Sequence, residues 1–287
     1  MKIALLGTGL LGRAVAERFQ ATGHCVTVYN RTKEKAIPLR ACGIAVAVNP
    51  EEAIAQADVV VLMLADAVAI RAVLLTEFSL AVLQGKTVIQ MGTIAQEESV
   101  LIQTEIERAG GQYCEAPVLG SVTEAKAGTL LVMVGGTREQ FTRWSPLFCS
   151  ISQAPRLIGP VGKAASLKLA LNQLIASEIS GFALSLGLVE RAGVSVEIFM
   201  AILRESALFA PAFEKKLPRM LARNYEQPNF STRLLLKDVD LILKEASGYE
   251  LTTSGLEGVR PVLERTIAQG SGDVDYASIY DTINPKT

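Results

Sequence analysis

A glycine-rich turn near the amino terminus constrains the fold of this chain more than any other feature. The apolar run Lys2 to Leu6 has the pattern of a short buried strand, and Arg13 to Thr22 has the pattern of a helix. Between them lie three glycines spaced GxGxxG, in a segment made of Gly7, Thr8, Gly9, Leu10, Leu11 and Gly12. Glycine at these positions permits a tight turn, a close approach of backbone N–H groups to a pyrophosphate, and close packing of helix on strand. The pattern predicts a dinucleotide-binding unit in which all six residues contact the cofactor.

Short apolar runs alternate with helical patterns as far as residue 160. Further strands are predicted over Cys25 to Tyr29, Val59 to Leu64, Thr87 to Met91, Gln112 to Glu115 and Leu130 to Val134. Helices are predicted over Lys33 to Ala41 and Ile94 to Ala109. Buried strands separated by helices are typical of a parallel sheet covered on both faces. We therefore predict an α/β fold whose N-terminal domain, residues 1–160, is a Rossmann-like doubly wound sheet.

Helical patterns dominate the remainder, residues 161–287, and no strand is expected beyond Arg156. Gly162 to Ala192 is predicted to form one long, mostly apolar helix. Shorter helices are predicted over Glu197 to Glu205, Phe213 to Ala222, Thr232 to Ala246 and Leu256 to Gln269. We predict an all-α C-terminal domain for substrate binding and oligomerisation. Because one small domain can scarcely cover the long helix, we expect a homodimer or homotetramer.

Composition and charge narrow the function classes. The 287 residues carry 28 Lys and Arg against 29 Asp and Glu, so no cationic excess is present to bind nucleic acid or an anionic membrane. One histidine and four dispersed cysteines disfavour a metal cluster, a Ser-His-Asp triad and a disulfide framework. Apolar runs such as Val59 to Ala65 are much shorter than the roughly 20 residues that span a bilayer. We expect a soluble, cytoplasmic protein that binds a small molecule.

The end of the second predicted strand indicates which dinucleotide is bound. Enzymes that use NAD usually place Asp or Glu here, where the carboxylate binds the ribose 2′-OH and repels a 2′-phosphate. This chain has Asn30, Arg31 and Thr32, which offer neutral and cationic donors to a phosphate. We predict NADP(H) as the cofactor, bound through these three residues. The alternative is that Arg31 is a solvated turn residue.

A nicotinamide cofactor supplies a hydride, so the protein must supply a proton donor. His24 lies in the turn before the second strand, at the sheet edge opposite the cofactor, and is not expected to be catalytic. Lys168 and Asn172 share one face of the long apolar helix, where desolvation lowers a lysine pKa from about 10.4 toward neutrality. We predict Lys168 as the proton donor, with Asn172 holding either the lysine or the substrate oxygen. The alternative is that Lys168 extends from a domain seam into solvent.

A second charged pair, Lys237 and Asp238, interrupts another apolar helical pattern. The carboxylate could orient the catalytic lysine. A helix-surface ion pair is the equally open alternative.

Taken together, these motifs resemble the β-hydroxyacid dehydrogenases, in order and over essentially the whole chain. The resemblance rests on the glycine turn, Asn30 to Thr32, Glu115 to Val118 before Gly120 and Ser121, the Gly162, Lys168 and Asn172 spacing, and the Lys237–Asp238 pair. Within the family the chain is most similar to the NADPH-dependent glyoxylate and succinic semialdehyde reductases. These share the Asn-Arg-Thr fingerprint and a Phe eight residues before the Asp, matched here by Phe230 and Asp238.

The resemblance implies reduction of a small aldehyde or keto acid to its hydroxy acid by NADPH, with Lys168 as the catalytic acid. It also implies a Rossmann domain and an all-α domain that exchanges contacts in an oligomer. Substrate contacts are expected from Thr93, Gly120, Ser121, Phe230 and Asp238. Cofactor contacts are expected from Met63, Leu64, Ala65 and Thr93, and from Lys237 of the second domain.

The chain departs from the family pattern at two positions near the expected carboxylate site. Leu119 and Gly92 stand where the family usually has serines. Each missing hydroxyl removes a donor worth about 1 kcal/mol and shifts substrate choice, although the N–H groups of Gly120 and Ser121 are still expected to bind an anion. A reductase of another carbonyl or of an imine is therefore an alternative, and a catalytically silent NADP-binding scaffold or redox sensor is a third possibility.

Overall fold

This computed structural model describes residues 1–286. They contain nine strands and thirteen α-helices. The strands are β1 Lys2–Leu6, β2 Cys25–Tyr29, β3 Ala45–Val46, β4 Val59–Leu62, β5 Thr87–Gln90, β6 Gln112–Glu115, β7 Val118–Leu119, β8 Leu131–Gly135 and β9 Arg156–Gly159. The first seven helices are α1 Leu10–Ala21, α2 Pro50–Ala55, α3 Ala67–Val73, α4 Glu77–Ala81, α5 Gln96–Arg108, α6 Val122–Ala127 and α7 Arg138–Cys149. The others are α8 Lys163–Arg191, α9 Val196–Glu205, α10 Pro211–Ala222, α11 Thr232–Gly248, α12 Ser254–Thr266 and α13 Ile279–Ile283.

The strands form one sheet in the order β3-β2-β1-β4-β5-β6-β8-β7, with β9 paired to β8. The strands from β3 to β6 are all parallel, and the strand order reverses between β1 and β4. This confirms the predicted Rossmann-like doubly wound sheet. The sheet is not parallel throughout, because β8 at one edge runs antiparallel to both β6 and β7.

Side-chain alternation along the strands divides the core of this sheet into two layers. Ile3 and Leu5 pack on one face with Phe19 of α1, whereas Ala4 and Leu6 pack on the other face in a separate buried cluster. Successive side chains of a strand point to opposite faces, so strands buried on both sides must be apolar at nearly every position. The continuous apolar runs of the sequence therefore identified these strands correctly.

Two local predictions are wrong. The segment predicted as a helix over Lys33 to Ala41 forms two 3₁₀ turns, Lys33–Lys35 and Ile37–Cys42. Pro38 lies inside the second turn and has no N–H to donate to an α-helical ladder. A ninth strand, β9, also forms beyond Arg156, where none was expected, because it adds in parallel to β8.

The chain divides into two units, Met1–Lys168 and a helical unit that begins at Leu169. The division falls inside α8, eight residues after Pro160, since the first turns of α8 hydrogen-bond to the sheet unit. The helical unit has its own apolar core, built from α8 to α13. By length and composition alone, α8 is long and apolar enough to cross a membrane. Core helices of soluble proteins meet the same criterion.

Candidate functional site

The carboxyl ends of neighbouring parallel strands meet at one edge of the sheet. The register pairs Leu6 with Tyr29 and with Leu62, and pairs Leu62 with Gln90. The loops that follow these four strands therefore lie side by side. Strand order reverses here, and ligands of doubly wound sheets bind at such a switch point. The residues predicted from the sheet unit to bind the cofactor lie on these loops.

Two glycines of the first loop are required by close backbone contacts. Gly7 has φ +103°, and a Cβ on it would lie 2.4 Å from the carbonyl oxygen of Met63. A Cβ on Gly12 would lie 2.1 Å from the carbonyl oxygen of Gly7. Gly9 differs, because nothing lies within 4 Å of its Cβ position. The loop is thus tightly packed on the protein side and open at Gly9.

The loop also fits an anionic ligand chemically. Gly9 is the N-cap of α1 and provides no side-chain cap, while Leu10 and Leu11 open a first turn without an acidic residue. The N–H groups at such a helix start carry partial positive charge. Thr8 is 3% exposed, and its Oγ1 has no hydrogen-bond partner within residues 1–286. The Thr8 hydroxyl and the N–H groups at the start of α1 are therefore suited to hydrogen-bond a dinucleotide pyrophosphate.

Asn30 joins the glycine turn to the loop after β2. Its Oδ1 accepts a hydrogen bond from the Thr8 N–H at 2.9 Å, and its Nδ2 donates to the Thr32 carbonyl at 2.9 Å. Both ends of the amide are thus engaged with the protein. Arg31 and Thr32 have exposed side chains at the end of β2, so these two residues are the ones positioned to meet a ligand.

The loops after β4 and β5 touch through their backbones. A Cβ on Gly92 would lie 2.3 Å from the carbonyl oxygen of Leu64. The Gln90 side chain holds Gly92 in place, accepting its N–H at 2.7 Å and donating to its carbonyl at 3.0 Å. Glycine at position 92 therefore brings two loops together and does not open a pocket. Met63 and Thr93 are half-buried beside this contact, and Ala65 is exposed.

Ser121 uses its donors within its own turn. Its N–H and its Oγ both donate to Glu124 Oε2, at 2.8 and 2.5 Å. The Gly120 and Ser121 N–H groups were expected to bind an anion, but the structure places a carboxylate against Ser121. Gly120 is exposed with φ +133°, and Leu119 is half-buried in β7.

The start of α8 is attached to the same edge of the sheet. Glu115, the last residue of β6, is 1% exposed, and its Oε1 accepts hydrogen bonds from the N–H groups of Gly162, Ala164 and Ala165 at 2.8, 2.9 and 3.0 Å. Lys168 follows three residues later and is only 8% exposed. The lysine predicted to be catalytic is therefore buried and does not extend into solvent.

Glu115 is a residue for which the sequence analysis assigned no role. Burial raises its pKa, while hydrogen bonds from Ser99 and from the three backbone N–H groups oppose that rise. The signal in the sequence was a carboxylate at the end of a buried strand, which is unfavourable without partners. Gln90 was missed as well, since its role depends on a contact between two loops.

A second group of predicted residues lies in the helical unit. Asp238 is 1% exposed, its Oδ2 accepts from Asn172 Nδ2 at 2.6 Å, and its Oδ1 lies 2.7 Å from Lys237 Nζ. Because the carboxylate is buried, this is not the surface ion pair considered as an alternative. Asn172 Oδ1 is buried and has no hydrogen-bond partner in the described chain. Asp238 thus holds the amide so that its acceptor oxygen stays available.

Phe230 is positioned by a different part of the helical unit. Its ring meets Tyr276 edge to face at 5.7 Å, and its carbonyl accepts the Tyr276 N–H. A buried ion pair, Lys216 with both oxygens of Asp275 at 2.7 and 2.8 Å, holds this segment. Lys216 also lies over the Tyr276 ring at 4.1 Å.

The single histidine lies at the other edge of the sheet from the cofactor loops. His24 lies just before β2, at the amino-terminal edge of the sheet, and its Nε2 is 2.9 Å from Ser150 Oγ. Burial lowers its pKa. This position agrees with the expectation that His24 is not catalytic.

Comparison with known protein families assigns both halves of the chain. The NAD-binding domain of 6-phosphogluconate dehydrogenase matches residues 2–162. The NAD-binding domain of NADP-dependent 3-hydroxyisobutyrate dehydrogenase matches residues 162–283. The two matches meet at Gly162, the residue before α8.

Individual relatives agree with the family match. The chain is 28% identical to glyoxylate/succinic semialdehyde reductase 1 of Arabidopsis thaliana, over 99% of this chain and 98% of that protein. It is 31% identical to the uncharacterized oxidoreductase YfjR of Bacillus subtilis, over 99% of this chain and 100% of that protein. The structure of 3-hydroxyisobutyrate dehydrogenase from Mycobacterium tuberculosis with L-serine superposes with a TM-score of 0.86 at 25% identity, covering 98% of both chains. The chain belongs to the β-hydroxyacid dehydrogenase family of NAD(P)-dependent oxidoreductases.

Proposed function

We propose that this chain is an NADPH-dependent reductase that converts a small aldehyde or keto acid, of the succinic semialdehyde or glyoxylate class, to its hydroxy acid. The observation that carries the proposal is the position of Lys168. It is a buried lysine on a helix whose start is hydrogen-bonded to the same sheet edge that carries the glycine turn. A buried ammonium at a dinucleotide site is suited to general acid catalysis.

Each part of the chain has a separate task in this reaction. NADPH, when bound, supplies the hydride. The turn from Gly7 to Gly12 would hold the pyrophosphate, Arg31 and Thr32 would hold the 2′-phosphate, and the loop from Met63 to Ala65 would line the cofactor. Lys168 Nζ donates a proton to the carbonyl oxygen, so that negative charge does not accumulate there.

The orientation of Asn172 limits the part that it plays. Its Nδ2 is held by Asp238, and the remaining Oδ1 is an acceptor. Asp238 accepts one of the two Nδ2 hydrogens, and the unpartnered Oδ1 can accept a hydrogen bond but cannot donate one. This oxygen accepts from an ammonium or from the hydroxyl of the product. Of the two roles considered for Asn172, this favours contact with a protonated amine or an alcohol.

A reductase of another carbonyl or of an imine is the second candidate. Leu119 has no hydroxyl, and Glu124 takes up both donors of Ser121. A substrate carboxylate would have to displace Glu124 or bind elsewhere, through Thr93. The name of the Arabidopsis reductase supports an aldehyde acid, whereas this local chemistry favours a neutral substrate.

NADPH oxidation with four substrates tests the proposal. Succinic semialdehyde and glyoxylate represent the acids, and butanal and a cyclic imine represent the neutral alternatives. We expect turnover of the acids, and a loss of kcat by about 100- to 10,000-fold in Lys168→Ala, with the Kd for NADPH unchanged. Lys163→Ala is the matched control, because Lys163 is an exposed lysine of the same helix.

Three results would contradict the proposal in different ways. Turnover of only the neutral substrates would assign the second candidate. Full activity of Lys168→Ala would show that Lys168 is not the proton donor. NADPH binding without turnover of any substrate would identify the silent scaffold or redox sensor considered above.

The choice of NADPH over NADH is tested at Arg31. A guanidinium that contacts the 2′-phosphate makes a charge-assisted hydrogen bond. Arg31→Ala should lower kcat/KM for NADPH by about 10- to 100-fold and leave the value for NADH nearly unchanged. Lys33→Ala, at a nearby exposed lysine, is the control. Equal losses with both cofactors would show that Arg31 is only a solvated turn residue.

We also propose a cytoplasmic homodimer or homotetramer. All four cysteines are free thiols, as a reducing compartment allows. Apolar side chains are exposed along the helical unit, namely Leu184, Leu188, Ile198, Ile202 and Leu208. Exposed apolar surface of this kind is typical of subunit interfaces. Light scattering coupled to size exclusion would give the mass, and a mass near 30.7 kDa would contradict an oligomer.

A further inference from the structure

The start of α8 has an unusual set of hydrogen-bond partners. The N–H groups at a helix start have no partner inside the helix and must find one elsewhere. The Lys163 N–H donates to the Pro160 carbonyl at 3.1 Å. The Gly162, Ala164 and Ala165 N–H groups all donate to one atom, Glu115 Oε1. A side chain from a distant strand therefore caps this helix, which has no acidic residue in its own first turn.

The second oxygen of Glu115 is hydrogen-bonded as well. Glu115 Oε2 accepts a hydrogen bond from Ser99 Oγ of α5, and Ser99 Oγ lies 2.8 Å from Tyr113 OH. A Cβ on Gly135 would lie 2.4 Å from Glu115 Oε1, so glycine at this position leaves the space that the carboxylate fills. Both carboxylate oxygens are thus fixed by groups of the sheet unit.

A further contact joins the same helix turn to α5. Ser166 Oγ donates to Gln96 Oε1 at 2.8 Å. A Cβ on Gly162, which has φ +95°, would lie 2.7 Å from Gln96 Cγ. The first turn of α8 is therefore attached to β6 and to α5. Lys168 lies in the next turn, about 4.5 Å along the axis from Ala165 at 1.5 Å per residue.

We propose that Glu115 is a positioning residue, which fixes the first turn of α8 and thereby places the Lys168 ammonium for proton transfer. Glu115 acts through Lys168, so the inference rests on the catalytic role proposed for that lysine. The three N–H groups bound to one buried oxygen fix the helix start about one turn before the lysine. Misplacement of a catalytic group by about 1 Å costs as much as 100-fold in rate.

A double-mutant cycle separates positioning from stability. Glu115→Ala and Glu115→Gln are each made in the wild type and in Lys168→Ala, and single-turnover NADPH oxidation is followed with succinic semialdehyde. We expect Glu115→Ala to lower the rate by about 100-fold, with the Kd for NADPH changed less than about two-fold. In the Lys168→Ala background the same substitution should change the rate by less than about two-fold, because groups that act as a unit are not additive.

Two further variants keep the test conclusive. Glu115→Gln retains an acceptor oxygen for the three N–H groups and should restore most of the rate lost in Glu115→Ala. Tyr113→Phe removes a hydroxyl from the same network without touching α8, so it should lower the melting temperature and leave the rate within about two-fold. If Glu115→Ala does not fold, Ser99→Ala takes its place, because it frees Oε2 and lets the carboxylate rotate.

The outcomes distinguish this inference from the proposed function. An unchanged rate in folded Glu115→Ala would overturn the positioning role, as would equal losses in the wild-type and Lys168→Ala backgrounds. A Lys168→Ala enzyme with wild-type activity would instead overturn the proposed role of the lysine. A rate loss in Tyr113→Phe as large as in Glu115→Ala would show that stability alone is responsible.

Discussion

At the scale of the residue, one amide holds the loop that we propose to select the cofactor. Asn30 connects Thr8 to Thr32 with one acceptor and one donor atom. Asn30→Asp keeps the acceptor, but it turns a carboxylate oxygen toward the Thr32 carbonyl and adds a negative charge beside the expected 2′-phosphate. We expect the ratio of kcat/KM for NADPH to that for NADH to fall by about 100-fold, as measured by steady-state kinetics with both cofactors.

Asn49 provides the matched control for this substitution. It is the N-cap of α2 and accepts the Glu52 N–H at 2.9 Å, so Asn49→Asp makes the same chemical change outside the loop after β2. It should leave the cofactor ratio within about two-fold. A ratio unchanged in Asn30→Asp would show that the turn after β2 does not determine the cofactor.

At the scale of the element, Gly12 and Gly9 of the first loop have different tasks. Gly12→Ala forces a Cβ against the Gly7 carbonyl and should destabilise the protein by about 1–3 kcal/mol. Gly9→Ala meets nothing within 4 Å, and the φ of −62° at Gly9 suits alanine, so its melting temperature should stay the same. Its methyl group would instead occupy the open side of the loop and weaken NADPH binding by about 10-fold or more.

Thermal unfolding and NADPH fluorescence titration, carried out on both variants, check this division of tasks. If Gly9→Ala binds NADPH as tightly as the wild type, the pyrophosphate does not bind at this loop. A Gly12→Ala protein of undiminished stability would show that α1 can move away from β1 at little cost.

At the scale of the whole molecule, buried proton donors make the fold sensitive to alkali. Burial raises the pKa of Cys114 from 9.0 to about 12, and burial and a hydrogen bond to Glu190 raise that of Tyr280 from 10.0 to about 12. A group whose pKa is higher in the folded state keeps its proton longer there, so its contribution to stability is lost as pH rises toward the folded value. Lys216 acts in the opposite sense, because burial lowers its pKa.

Urea unfolding from pH 8 to pH 11 measures this effect. The free energy of unfolding should fall above pH 9 by about 1.4 kcal/mol per pH unit for each proton retained. Cys114→Ala removes one such proton and should flatten the fall by about that amount. A free energy that does not change above pH 9 in the wild type would contradict the prediction.

Local patterns predicted much of the site because its parts depend on short segments. The GxGxxG turn, Asn30 to Thr32 and the spacing of Lys168 and Asn172 each occupy a short stretch of chain. The structure places the first two after the ends of strands and the third on one helix. The 3₁₀ turns around Pro38 and the antiparallel edge at β8 were not predicted, because each depends on which neighbour the segment meets. Gly92 was interpreted as a lost hydroxyl, whereas contact with Leu64 gives it a packing role.

The sequence by itself determined the class of this protein: a doubly wound sheet, a helical unit after it, a dinucleotide turn and a lysine on an apolar helix. The periodicity of apolar residues and the residue types of turns are local features, and they can be recognised in a single sequence. Only the tertiary structure decided what Glu115 and Asp238 do, because each carboxylate acts on an N–H or amide group that folding aligns with it. Glu115 reaches α8 across 47 to 50 residues of sequence, and Asp238 reaches Asn172 across 66. No local pattern encodes such a distance, since the cost of a buried charge is met only by the partners that the fold brings to it.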